Sequence, residues 1–198
     1  METLAPTRVR ILEAAIDLFG VRGVEATSLD EIATRVGVRK QTVLYWFPSK
    51  DDLLDGVIAQ VAAELSAAME AAVRAAGDDP MDRIIAVVRA AFRPAVRRPA
   101  LLGLLREVSR LTPRHSALLL ELVSPLVERA TRAMAVDMER GRLRRGDPGL
   151  IVALAYATVT GAATEPVALT AVGWRADAAG LRRLRAELVA FLQAALRP

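Results

Sequence analysis

The chain has no cysteine, a single histidine, and only two Trp, two Tyr and four Phe among its 198 residues. Without cysteine there is no disulfide framework, no thiol nucleophile and no thiolate metal site. His115 alone leaves no material for a histidine-based metal centre. No run of about 18 uncharged apolar residues occurs, and the opening METLAPTRVR has no apolar signal core, so a soluble cytoplasmic chain is expected. Internal repeats, low-complexity linkers and the two-residue alternation of strands are also missing. So are a glycine-rich phosphate loop, a nucleophile elbow and paired carboxylates. Neither an enzyme nor a cofactor is expected.

What is abundant is Ala, Val and Leu, in an apolar fraction of 53%, which suits packed helices better than sheets. The net charge of +4 is unevenly spread: residues 51–80 hold one basic and seven acidic side chains, residues 81–150 hold fourteen and seven. The first fifty residues are almost balanced, with seven basic and six acidic. Arg outnumbers Lys 25 to 2, which fits a GC-rich genome better than a binding surface. Charge alone does not identify a partner.

The apolar spacing predicts helices almost throughout. In the first, from Thr7, Ile11, Ala15, Leu18 and Phe19 share a face, and Gly20 and Gly23 supply a stop. Ser28 and Glu31 form a capping box at the start of a second helix with Leu29, Ile32, Ala33 and Val36 inward; Gly37 ends it. A third runs from about Arg39 to Phe47 and stops at Pro48. Ser49 caps a fourth, which continues to about Ala76 with Asp51 and Asp52 in its first turn. Further helices are expected at 80–97, 100–111, 114–140, 148–171 and 178–196, with Pro94 and Pro125 kinking or dividing two of them. The expected fold is all-α with about nine helices: a three-helix domain over 1–50, then a helical domain over 51–198.

The spacing of the first three helices is that of a helix-turn-helix, in which one short helix lies across the DNA backbone and the next enters the major groove. Gly37 fits the tight turn because it tolerates positive φ. Val38 and Val43 can pack back onto the second helix, which leaves Arg39, Lys40, Gln41, Thr42, Tyr45 and Trp46 pointing out. Basic, amide and hydroxyl groups in that position hold phosphates or read base edges.

The stretch from Thr7 to Leu54 also resembles the DNA-binding domain of the TetR family. The matching features are Phe19 with Gly23, Thr27 before the second helix, Ile32-Ala33, the Gly37-Val38 turn, and Phe47, Ser49 and Lys50 after an aromatic cluster. The resemblance covers about a quarter of the chain. It implies that Thr42, Lys50 and Thr27 hold phosphates, and that Arg39, Lys40 and Gln41 read bases. Arg39 stands where a small capping Ser is usual, and Leu44 where a phosphate-binding Tyr is usual, so that contact is lost or passes to Tyr45 or Trp46.

The resemblance further implies a homodimer on an inverted-repeat operator, released by a small-molecule effector. The last two helices of each chain would form the dimer interface. The sequence supports this with Leu181, Leu184, Leu188 and Phe191 on one face of the last helix and with Ala157 and Gly161 at close-packing spacing on the helix before it; both stripes packing within one chain is the alternative. An effector cavity, apolar or amphipathic in taste, is expected between helices four and eight, with Phe92, Met134, Tyr156, Thr160 and Glu165 as candidates. Glu165 interrupts an otherwise uncharged run from Leu150 to Gly173, and a buried carboxylate needs a partner. His115, just after Pro113, is expected on the surface. A regulator without a small-molecule trigger, and a helical dimer that ignores DNA, remain the alternatives.

Overall fold

The computed structural model describes residues 6–98, 100–109, 113–164, 166–175 and 177–198. They form an all-α chain of ten helical segments: α1 (Thr7–Arg22), α2 (Leu29–Val36), α3 (Lys40–Trp46), α4 (Lys50–Ala75), α5 (Pro80–Arg97), α6 (Ala100–Ser109), α7 (Pro113–Glu139), α8 (Pro148–Thr164), α9 (Pro166–Ala171) and α10 (Ala178–Leu196). Within the run expected as one helix over 148–171, helix is found at Pro148–Thr164 and Pro166–Ala171, and Glu165 lies outside the described residues. Pro94 and Pro125 divide nothing: α5 and α7 continue through them. α4 is the one described helix long and apolar enough to cross a membrane, a test that the core helix of a soluble protein also passes.

The chain separates into two compact units, 1–62 with 100–120 and 63–99 with 121–198. The division differs from a boundary at residue 50, because the first turns of α4, all of α6 and the start of α7 join the N-terminal helices. α4 and α7 therefore each contribute one end to each unit.

In the first unit, Ile11, Leu12, Ala15, Ile16 and Phe19 of α1 are buried with Ile32 and Ala33 of α2, Val43 of α3 and Leu53, Leu54 and Val57 of α4. Small residues let α6 reach α1: a Cβ built on Gly103 would lie 1.8 Å from the Gly20 carbonyl oxygen, and one on Gly20 would lie 2.1 Å from that of Ala100. No side chain larger than hydrogen fits either position. His115, expected on the surface, is 3% exposed, with Nε2 3.5 Å from Asp55 Oδ1. The first turn of α7 packs inward here, and Arg114 pairs with the same Asp55 carboxylate. Proximity to a helix start in sequence says nothing of which side that start faces.

In the second unit, α10 packs on α5. Asp177 caps α10 through the Gly180 amide, and Asp79 caps α5 with Pro80 in its first position. The buried Asp137 pairs with Arg83 at 3.7 Å and with Arg142, so its charge is compensated inside. Arg144 gives its backbone N–H to Leu196 at 2.9 Å and its Nε to the Ala195 carbonyl at 2.6 Å, satisfying carbonyls that the end of α10 would otherwise leave open.

Candidate nucleic-acid interface

Two short helices at a fixed angle need a cap at one end and a turn at the other. Ser28 Oγ accepts from the Glu31 amide at 3.2 Å and the Glu31 carboxylate accepts from the Ser28 amide at 2.8 Å, so the predicted capping box is formed. The Ser28 amide, then its hydroxyl, and the Arg22 guanidinium hold the Glu31 carboxyl below the usual carboxylate range. At the other end Gly37 adopts φ 76°, ψ 38°, and its N–H closes onto the carbonyls of Ala33 and Thr34. Arg10 on α1 donates to the Val36 carbonyl and Arg22 to Glu31 at 2.7 Å, tying both ends of α2 to α1.

α3 is pinned by one fully buried side chain, Val43. Its opposite face is open: Arg39, Lys40 and Gln41 are exposed and Thr42 is half-buried. Tyr45 is 80% and Trp46 42% exposed, and their rings meet edge to face at 5.3 Å. The structure thus brings together six of the eight residues expected to meet DNA. Leu44 lies half-buried beside them.

Thr27 and Lys50 stand differently. Thr27 is 1% exposed and its hydroxyl donates to the Gly23 carbonyl at 2.8 Å, because the turn that opens α2 folds over it. Lys50 reaches back to the loop between α1 and α2, where Nζ donates to the Val24 carbonyl at 3.0 Å and to that of Glu25 at 3.3 Å. Both therefore act in this structure on the protein's own backbone. From the other side the Glu107 carboxylate of α6 accepts from the Val24 amide at 3.1 Å. No motif pointed to Glu107, which is 83 residues away in the chain.

Of the residues expected around an effector, Phe92 and Met134 are buried and Tyr156 is about half exposed, while the Thr160 side chain and Glu165 lie outside the described residues. A cleft of about 360 Å³ lies elsewhere in the second unit, lined by Asp79, Asp82, Arg142, Gln193 and Arg197 among others, and shares no residue with that set. Among the described residues no group of three His, Asp or Glu is placed to hold a metal ion.

The expected dimer stripe on α10 is split. Leu181 and Leu188 are buried within the chain, as are Leu192 and Leu196, because this is the side of α10 directed into its own unit. Leu184 is half-buried, and Phe191, about 60° round the helix from the buried Leu188, is 63% exposed. On α8, Leu150, Ala153, Leu154 and Ala157 are exposed and share one face, with Gly161 half-buried in line with them.

A short capped helix, a glycine turn and a second short helix with an open polar and aromatic face form a helix-turn-helix. Residues 11–57 match the model of the bacterial regulatory proteins of the tetR family. Over 51 residues the chain is 45% identical to the HTH-type transcriptional regulator RutR of Escherichia coli (strain K12), which is 26% of this chain and 24% of that protein. The match thus spans 24–42% of the length of the curated relatives. Solved structures extend the likeness of fold. A protein from Saccharomonospora viridis in complex with choline has a TM-score of 0.80 at 20% identity, over 96% of this chain and 97% of that one. The TetR family transcriptional regulator PfmR of Thermus thermophilus has 0.74 at 24%, over 93% and 97%.

Proposed function

We propose that the chain is a DNA-binding transcriptional regulator of the repressor type, working in the cytoplasm as a two-fold dimer on an inverted-repeat operator and released by a small-molecule effector. The observation that carries this is the open face of α3, where Arg39, Lys40, Gln41, Tyr45 and Trp46 project from a helix anchored by Val43. An exposed Tyr-Trp pair beside two cations has no packing role, but it can stack on sugars and fill a groove while the cations meet phosphate.

Two such helices in a dimer match successive major grooves about 34 Å apart, or a multiple of that distance. The second copy would cover the apolar face of α8, Leu150, Leu154 and Ala157, together with Phe191. The effector would sit against the second unit's apolar interior near Phe92 and Met134. The S. viridis protein of the same fold was solved with choline, which supports a ligand-holding role for this architecture. An effector lowers DNA affinity only as far as it prefers the state that binds DNA poorly, and a tenfold loss needs about 1.4 kcal/mol of that preference.

The test is selection of duplexes from a randomised library by the purified chain, followed by gel-shift titration of the enriched sequence. A palindromic sequence bound at nanomolar to micromolar concentrations is expected. Absence of any enriched sequence rejects the reading.

A further inference from the structure

We propose that Glu107 is a positioning residue for DNA binding, acting with Lys50 by holding the two peptide groups that flank Val24; the proposal rests on the DNA-binding reading above. The Val24 N–H points to the Glu107 carboxylate and its C=O to the Lys50 ammonium, at 3.1 and 3.0 Å. The two bonds fall on consecutive peptide groups, Gly23–Val24 and Val24–Glu25, so one charge-assisted hydrogen bond fixes each of the two planes that meet at the Val24 Cα.

Glu107 is placed for this by the crossing of α6 with α1. Gly103 and Glu107 are four residues apart and so share a face of α6. Gly103 fixes the backbone against Gly20, which delivers the carboxylate to the end of α1. Gly23 leaves the space: a Cβ there would lie 3.1 Å from Glu107 Oε2, and its φ of 88° suits glycine.

The two held peptide groups lead directly into α2. The Val24 carbonyl also accepts from the Thr27 amide at 3.2 Å, and Thr27 in turn holds Gly23. Ser28, the cap of α2, is the next residue. The Glu107–Val24–Lys50 arrangement thus fixes where α2 starts, and through the Gly37 turn where α3 points. Without it the same helices would form, but α3 would present its face over a wider range of angles, and a preorganised site binds more tightly than a loose one.

The experiment compares wild type, Glu107→Ala, Glu107→Asp and Glu107→Gln. The probe is the duplex that wild type enriches from a random library, and Val24 amide exchange is followed alongside. Glu107→Ala is expected to weaken the duplex by roughly tenfold or more, the range of a lost charge-assisted hydrogen bond, and to speed Val24 exchange. Glu107→Asp, whose carboxylate is withdrawn by one methylene, should follow it and serves if the alanine variant does not fold. Glu107→Gln keeps an acceptor oxygen and should restore both affinity and protection, which a generally damaged fold would not do. Unchanged affinity in the alanine and aspartate variants overturns the proposal, as does an equal loss in the glutamine variant. If wild type enriches no duplex, the DNA reading fails and takes the positioning role with it. Val24 protection still separates that outcome from a mistaken Glu107–Val24 bond.

Discussion

The ammonium of Lys40, in the first turn of α3, lies 2.7 Å from the carboxylate of Asp30 on α2, and both side chains face solvent. An exposed pair of this kind contributes little to stability, about 0.2–1 kcal/mol. Its effect on a polyanion is larger, since Asp30 offsets one of the two cations at the start of the proposed recognition helix. Lys40→Ala should weaken operator binding and make the slope of log affinity against log salt shallower by about one. Asp30→Asn should strengthen binding at low salt. Gel-shift titrations at several salt concentrations check both, and an unchanged slope in Lys40→Ala places that ammonium away from phosphate.

The two sides of the C-terminal helices call for opposite outcomes. Leu188→Arg puts a charge among buried leucines and should cost several kcal/mol, about 3–5, seen as a large fall in melting temperature. Leu154→Arg on the exposed face of α8 should leave the helical circular dichroism signal intact but shift sedimentation from dimer to monomer. A Leu154→Arg chain that remains dimeric means the second copy is seated on another face.

Two glycines separate steric from conformational cost. Gly103→Ala drives a methyl into the Gly20 carbonyl, so α6 must move away from α1, and a loss of about 1–3 kcal/mol is expected from overpacking. Gly37→Ala meets nothing within 4 Å and suffers only from its positive φ, at about 1 kcal/mol. Gly37→Asn should recover part of that loss, whereas no residue should rescue position 103. Denaturant titrations distinguish the two patterns.

Acid should act on the start of α2. The folded-state pKa of Glu31 is depressed, first by the Ser28 amide, so its contribution is present above the unfolded carboxyl's range and is lost as pH falls through the folded value. Faster exchange of the α2 amides is expected on acidification in wild type. In Glu31→Gln, which can still accept from the Ser28 amide, this acid-dependent step should vanish. An identical acid response in both chains assigns it to other carboxylates.

The local features were legible in the sequence because each has a local cause. The Ser28–Glu31 cap, the left-handed Gly37, the start of α4 at Ser49 and the span of α10 all follow from residues within four positions of one another. Which face of α3 is open was legible as well, since Val43 is its one strongly apolar inward position. What was illegible depends on residues far apart. Periodicity marks Leu181, Leu188 and Phe191 as one broad stripe but does not say that the first two are consumed by the chain's own interior. Thr27 and Lys50 match a pattern of phosphate contacts, yet whether a hydroxyl or ammonium meets DNA or the protein's own carbonyls is decided by where the loop at Val24 passes. Glu107 reaches that loop only because Gly20 and Gly103 allow two backbones to touch.

The burial of His115 gives the chain a built-in reporter. One histidine means one pair of imidazole ring signals in a proton spectrum, with no assignment to resolve. That ring sits where the first turn of α7 meets Asp55 of α4, inside the unit that carries α3. A DNA duplex or small molecule that shifts those two lines is altering the unit that holds α3, provided any histidine purification tag has been cleaved.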